Sequence, residues 1–181
     1  MARKNYPTIG CCGIDCGLCP RFYTAGDSRC PGCGGEGFDA VHPPCAVNKC
    51  CVDKHGLEIC GQCAEYPCRR YEDTEKIERD SFVTHKRIFQ NHDRVRTGGI
   101  DAFKAEQNLR IAVLQDMLMN ADDGRSKGFY CLAAALLPPE WVKSLIAACV
   151  KEEDRKKKAK ALRAALLECA EAEGVELSLI K

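Results

Sequence analysis

Nothing in the 181 residues reads as a membrane span: no apolar run approaches the roughly 20 residues a bilayer crossing requires. An excess of one charge is missing too. Lys and Arg total 27 against 26 Asp and Glu, a formal net charge of +1, so no global field favours nucleic acid or an anionic membrane. The opening MARKNYPTIGCCG has a basic start but lacks the apolar core of a secretory signal, and a cytoplasmic protein is expected. There is no Ser/His/Asp arrangement, no phosphate-binding loop, no Rossmann glycine fingerprint and no HExxH run. These absences exclude any specific reaction as an expectation and leave substrate, pathway and partner unread. A protein partner is compatible with the chain; nucleic acid and membrane are not expected.

What the sequence has in excess is cysteine. There are 15, and 12 of them lie between Cys11 and Cys68. In a secreted mini-protein that density would be a disulfide framework. With no export signal, and a long helical second half to supply a core, metal ligation is the expectation instead. From Cys30 to Cys45 the chain reads CPGCGGEGFDAVHPPC, mostly turn-forming residues. Such a segment buries little apolar surface, and metal–thiolate bonds are what offset its ordering entropy in small metal domains.

Composition changes near Tyr71. The expected organisation is a cysteine-rich metal-binding module over 1–73 and a helical domain over 74–181: an α+β, mostly α chain with about five helices. TEKIERDSFVTHKRIFQNH carries Ile77, Phe82, Val83, Ile88 and Phe89 at amphipathic spacing. RTGG at 96–99 breaks it, and Asp101 then stands where an N-cap belongs. Phe103, Leu109, Val113, Leu114, Met117 and Leu118 form the next inward stripe. FYCLAAALL predicts a short buried helix stopped by Pro138, with Pro139 opening the next one through Trp141, Leu145, Ile146 and Cys149. The run KEEDRKKKAK contains a break and otherwise reads as a solvated face. The last helix uses Leu162, Leu166, Cys169 and Ala170 and ends near Gly174. VELSLI at 175–180 alternates and predicts one short strand.

Three CxxC pairs stand out: Cys16/Cys19, Cys30/Cys33 and Cys60/Cys63. Two intervening residues let both thiolates point into one tetrahedral site from a tight turn. The spacing suggests Cys16, Cys19, Cys30 and Cys33 for one site and Cys45, Cys50, Cys60 and Cys63 for another, though an interleaved pairing has the same sequence. Cys12 and Cys68 remain as substitutes, additional ligands or free thiols. Four thiolates on a divalent ion carry a net charge of about −2, and with no basic face nearby a DNA-reading finger is not expected. Zn2+ in a structural role is the first expectation.

The competitor is a 4Fe-4S cluster. Cys12-x3-Cys16-x2-Cys19 has the spacing of the radical S-adenosylmethionine signature, but Leu18 stands where an aromatic is typical and no repeated strands follow. A plain cluster fits better, since Cys19-Pro20 and Cys30-Pro31 are similar to the Cys-Pro ends of ferredoxin ligand runs. That alternative implies electron transfer or cluster handling. A second alternative is a thiol-dependent enzyme with a spare thiolate such as Cys12 or Cys68 as nucleophile.

CGIDCGLCP, CPGC, the Cys45/Cys50 pair and GLEICGQCAEYPC before a helix resemble the domain-of-unknown-function 3795 family of bacteria and archaea. DSFVTHKRIFQNH and NADDGRSKGFYC are similar to phrases of its longer members. The resemblance implies a prokaryotic cytosolic metal-binding protein with no assigned reaction. It implies ligands at Cys12, Cys16, Cys19, Cys30, Cys33, Cys45, Cys50, Cys60, Cys63 and Cys68, with Cys11 and Cys51 as extras beside framework positions.

Other candidates are weaker. His42 and His55 lie inside the cysteine region and could replace a thiolate; His85 and His92 are expected at surface or interface positions. Cys131, Cys149 and Cys169 fall on apolar helix faces as small hydrophobes. Tyr66, Tyr71, Phe129, Tyr130 and Trp141 are expected in packing. Arg125, Ser126 and Lys127 flank a helix start whose N–H groups could receive a phosphate or carboxylate.

Overall fold

A computed structural model describes residues 3–149 and 152–180. Of the described residues 59% are helical, and none is in a strand. The expectation of an α+β fold is therefore corrected to an all-helical one. VELSLI remains irregular: its partner is Asp80, whose N–H donates to the Ile180 carbonyl at 2.8 Å while its carboxylate takes the Ile180 N–H at 2.7 Å. One such exchange at a single residue gives no ladder, and a strand needs a ladder to exist.

The chain divides into two compact units, residues up to Gln107 with 179–181, and Asn108–Ser178. The first extends past the expected module limit at residue 73. Its cysteine-rich part contains only short pieces: α1 (Phe38–Val41), α2 (Ala46–Asn48) continuing into a wide helical turn over Lys49–Lys54, and single tight turns at Cys16–Leu18, Pro20–Tyr23, Cys60–Gln62 and Arg69–Tyr71. α3 (Thr74–Glu78) follows, capped by the Asp73 carboxylate on the Lys76 N–H.

The single helix expected from Thr74 to His92 is interrupted between Glu78 and Ile88. Asp80 is the cause: its carboxylate accepts the His85 N–H and the Ile180 N–H, holding the chain in a bend. Phe82, expected inward, is accordingly 60% exposed. α4 runs Ile88–Ala121 and breaks once, at Gly99 with φ 80° and ψ 167°, a conformation open to glycine and not to a residue with a Cβ. The helix resumes so directly that Asp101 lies inside its first turn, bound to Lys104 Nζ at 3.2 Å, rather than at an N-cap.

The second unit holds the end of α4 with α5 (Lys127–Leu136), α6 (Pro139–Cys149) and α7 (Arg155–Ala172). Its buried side chains include Val113, Leu114, Met117, Tyr130, Leu137, Val142, Ile146, Leu162 and Leu166. Leu109 and Trp141, expected inward, are 62% and 45% exposed. α7 opens within the charged run, with Asp154 accepting the Lys157 N–H at 2.9 Å. Arg110, buried, donates one guanidinium nitrogen to the carbonyls of Ala134, Ala135 and Leu137 at 2.9, 3.0 and 2.9 Å, satisfying the orphan acceptors at the end of α5. No helix among the described residues is long and apolar enough to cross a membrane.

Candidate metal centre

Four backbone bonds carry the thiols inward. Gly10 N–H to Ile14 O at 2.8 Å folds the loop holding Cys11 and Cys12, and Cys60 N–H to Cys11 O at 2.9 Å lays the third CxxC turn on that loop. Cys33 N–H to Pro7 O at 2.8 Å brings the second turn alongside, and the Leu57 N–H closes on Cys51 O at 2.9 Å. All fifteen cysteines are free thiols.

The result is a small core of Cys11, Cys33, Cys51 and Val52, with Cys16, Val47, Leu57 and Cys60 packed against it. The Cys11 and Cys33 sulfurs are 3.6 Å apart, and the Cys11 N–H points at the Cys33 sulfur at 3.4 Å. The Cys51 thiol donates to the Leu57 carbonyl at 3.3 Å. Cys33, Cys11 and Cys51 are thus neighbours in one core, with Cys60 packed beside it.

Positive groups surround it. The Asn48 side-chain amide, fully buried, donates towards both Cys11 and Cys33 sulfurs at 3.6 and 3.5 Å. Lys4 is 7% exposed; its ammonium bonds the Ile9 carbonyl and its charge is felt by Cys11, Cys16, Cys33 and Cys60. Hydrogen bonds from the Cys33 and Cys51 thiols, and then Lys4, hold Cys11 below the ordinary thiol range against the opposing effect of burial. The same hydrogen bonds raise Cys33 and Cys51, and the bond from Cys51 lowers Cys60. Burial pushes Cys12 up to about 12 and Cys16 and Cys19 upward as well.

The framework cysteines fall in several places. Cys33 lies in the core with Cys11 and Cys51, with Cys16 packed against them and Cys19 and Cys30 outside it. Cys19 and Cys30 are half-buried, and the charge of Cys30 adds to burial in raising Cys19. Cys45 accepts the Asn48 N–H at the start of α2 and lies near Cys12. Cys50, Cys63 and Cys68 line a cavity of about 30 Å³ together with Cys51, Cys60, His55 and Tyr66, the space of roughly two water molecules. Among the described residues, no three His, Cys, Asp or Glu side chains already surround a common point in a metal-holding geometry. His42 stacks on Phe38 with centroids 4.5 Å apart.

The Arg125–Lys127 turn is built on Asp123, whose carboxylate receives the N–H groups of Arg125 and Ser126, each at 2.9 Å. An incoming anion would have to displace that carboxylate.

Sequence reasoning passed over Cys11 and Cys51 as extras, and over Asn48 and Lys4 entirely. The available signal was the doubling itself, at Cys11–Cys12 and Cys50–Cys51. Neighbouring residues of a turn or helix project in different directions, so one member of each pair is directed inward. His92 is likewise more than an interface residue: fully buried, it meets the Cys12 carbonyl through Nε2 at 3.0 Å and packs on Tyr66 and Tyr71 with centroids 4.4 and 5.2 Å away. Burial lowers its pKa to about 4, so the ring is neutral and Nε2 carries the donated proton. A Cβ on Gly13 would lie 2.8 Å from His92 Nε2, and one on Gly61 3.0 Å from the His92 carbonyl oxygen, which explains glycine beside Cys12 and between Cys60 and Cys63.

No curated protein and no solved structure matches the chain. Residues 8–73, which hold all twelve clustered cysteines, match the model of a family described as protein of unknown function (DUF3795), so the resemblance carried by the cysteine framework holds over that segment.

Proposed function

We propose that the cysteine-rich segment is a thiolate metal-binding module, with Zn2+ as its resident ion and a structural, accessory role. The observation that carries this is the buried Cys11–Cys33 pair, 3.6 Å between sulfurs, with the Asn48 amide directed at both. Zinc–sulfur bonds of about 2.3 Å in a tetrahedron set neighbouring sulfurs roughly 3.8 Å apart. Two thiolates on one ion therefore need almost no adjustment at this pair, whereas those of a 4Fe-4S cluster sit on different irons and are held further apart. An amide donor to sulfur and a buried ammonium close by are also what a thiolate site needs to balance its charge.

The donor set fits a metal. Its members are thiols, Cys11, Cys33 and Cys51 among them are buried, and regular structure among residues 8–73 is limited to short helices and turns, so cross-linking by metal contributes folding energy directly. Zinc supplies that cross-link and no redox chemistry. A buried site of four thiolates has no open position for substrate, which favours a structural role over catalysis. Free thiols throughout the chain suit the reducing cytoplasm expected from the sequence.

The test is elemental analysis of protein purified without oxygen, with acid-labile sulfide and the absorbance spectrum measured on the same sample. Zinc without sulfide or colour supports the proposal. Iron with matching sulfide and a brown solution replaces it with a cluster protein, and a chain that takes up neither metal ends both readings.

A further inference from the structure

We propose that Cys11, Cys33, Cys51 and Cys60 together hold one divalent ion as a four-sulfur site, with Asn48 and Lys4 balancing its charge. This rests on the metal-module reading and changes its ligand assignment, because the CxxC spacing divides these residues among different sites or leaves them out. Cys33 would leave its CxxC partner Cys30, and Cys60 would leave Cys63. The two cysteines that look surplus in the sequence, Cys11 and Cys51, become central ligands.

Three independent features converge on this set. The first is placement: Cys11, Cys33 and Cys51 share one buried core, and of the two further cysteines packed against it, Cys16 and Cys60, it is Cys60 that lines the same cavity as Cys51. The second is the direction of donors. Asn48 has no exposed surface, and its amide nitrogen faces two sulfurs rather than oxygen acceptors. A neutral thiol is a weak acceptor, so these donors gain strength when the sulfurs they face become thiolates on a metal. The third is the buried ammonium of Lys4, held by the Ile9 carbonyl. Its stem packs against Gly34, where a Cβ would lie 2.9 Å from Lys4 Cγ, so the cation is fixed beside the sulfurs rather than swinging in solvent. A buried cation is unfavourable unless an anion accompanies it, and the four-thiolate ion with a charge of about −2 is that anion.

Binding is a proton-for-metal exchange: thiol protons leave to buffer and four sulfur–metal bonds form, with no change of oxidation state. The Cys33–Cys11 edge is preset, and Cys51 and Cys60 close by side-chain rotation about their own contact. The cavity lined by Cys50, Cys63 and Cys68 lies against this set and leaves room for that rotation.

Titration of the chelator-stripped, reduced full chain with Co2+ decides the matter, because tetrahedral cobalt reports its sulfur count in the position and intensity of its visible bands. The wild type is expected to show a four-sulfur spectrum. Cys60→His should keep the ion and shift that spectrum to the three-sulfur, one-nitrogen form, a gain that does not depend on an unfolded variant. Cys11→Ser and Cys51→Ser should each weaken uptake at this site at least tenfold, and Asn48→Leu several-fold, while Cys19→Ser and Cys30→Ser leave its bands in place. If the wild type takes up no Co2+, the module reading itself fails. If it does, but the four-sulfur bands ignore Cys60→His and vanish in Cys19→Ser or Cys30→Ser, the module stands and this assignment is overturned.

Discussion

His92 reaches the Cys12 carbonyl with Nε2 at 3.0 Å across 80 positions of sequence. A helix of the first unit is thus pinned to the loop that delivers Cys11. Asn91, the residue before it, donates to the Gly13 carbonyl at 2.8 Å and to Asp15 Oδ1 at 2.9 Å. Adjacent side chains of α4 therefore hold the same loop at three points.

His92→Ala removes a buried aromatic contact with Tyr66 and Tyr71 together with that hydrogen bond, and is expected to cost about 2–4 kcal/mol. Urea unfolding should show the midpoint drop. His92→Gln, which keeps a donor near the same position, should recover part of it. Equal loss in the two variants would mean the hydrogen bond contributes nothing.

Asp15, Arg87 and Glu106 form an ion chain, buried at Asp15 and Arg87 and half-buried at Glu106, with Arg87 Nε 3.4 Å from Asp15 and its terminal nitrogen 3.1 Å from Glu106. Asp15 is 2% exposed. Asp15→Ala leaves a buried guanidinium short of one anion and should cost about 3 kcal/mol. The double variant Asp15→Ala, Arg87→Met should lose less than the sum of its parts, because removing both charges removes the mismatch. Additive losses in denaturant unfolding would show that the two side chains do not act as a pair.

Much of the second unit was legible in the sequence, and the reason is local. α5, α6 and α7 each carry their own periodic apolar positions and their own stop and start residues, Pro138, Pro139 and Asp154 among them. What the sequence hid was set by distant partners. The bend at Asp80 depends on Ile180, one hundred residues away, and no window around Asp80 contains that information. Leu109 and Trp141 have inward spacing on their helices, but other faces of those helices took the core. In the cysteine region two of the three CxxC turns close locally, with Cys19 N–H on Cys16 O and Cys63 N–H on Cys60 O. Which turn meets which is decided by long-range backbone bonds from Cys33 to Pro7 and from Cys60 to Cys11, and CxxC spacing is silent on those.

Arg110 tests whether the second unit stands apart energetically. Arg110→Met keeps most of the buried stem and removes the donor to three carbonyls, with an expected cost of about 2–3 kcal/mol. The loss should appear in thermal unfolding while the metal content per chain is unchanged. A fall in bound metal with Arg110→Met would mean that order in the helices is transmitted to the cysteine segment.

Metal removal gives the converse case. If thiolate–metal bonds supply the folding energy of residues 8–73, a strong chelator under reducing conditions should open that segment and leave α5–α7 folded, since their cores contain no thiolate cluster. Hydrogen exchange is the appropriate probe. Amides whose bonds assemble the site, those of Cys33 on Pro7 and Cys60 on Cys11, should lose protection on chelation, while Leu137 N–H on Ala133 O keeps it. His92 makes the expectation sharper, because it is buried by the very loop that would be released. Its neighbours at the start of α4 should then lose protection together with the cysteine turns, and the boundary of the metal-dependent region would fall beyond residue 73. Protection unchanged throughout the first unit would show that packing of Ile9, Ile59, Val95 and Phe103 suffices without metal, and that the thiols serve some purpose other than stability.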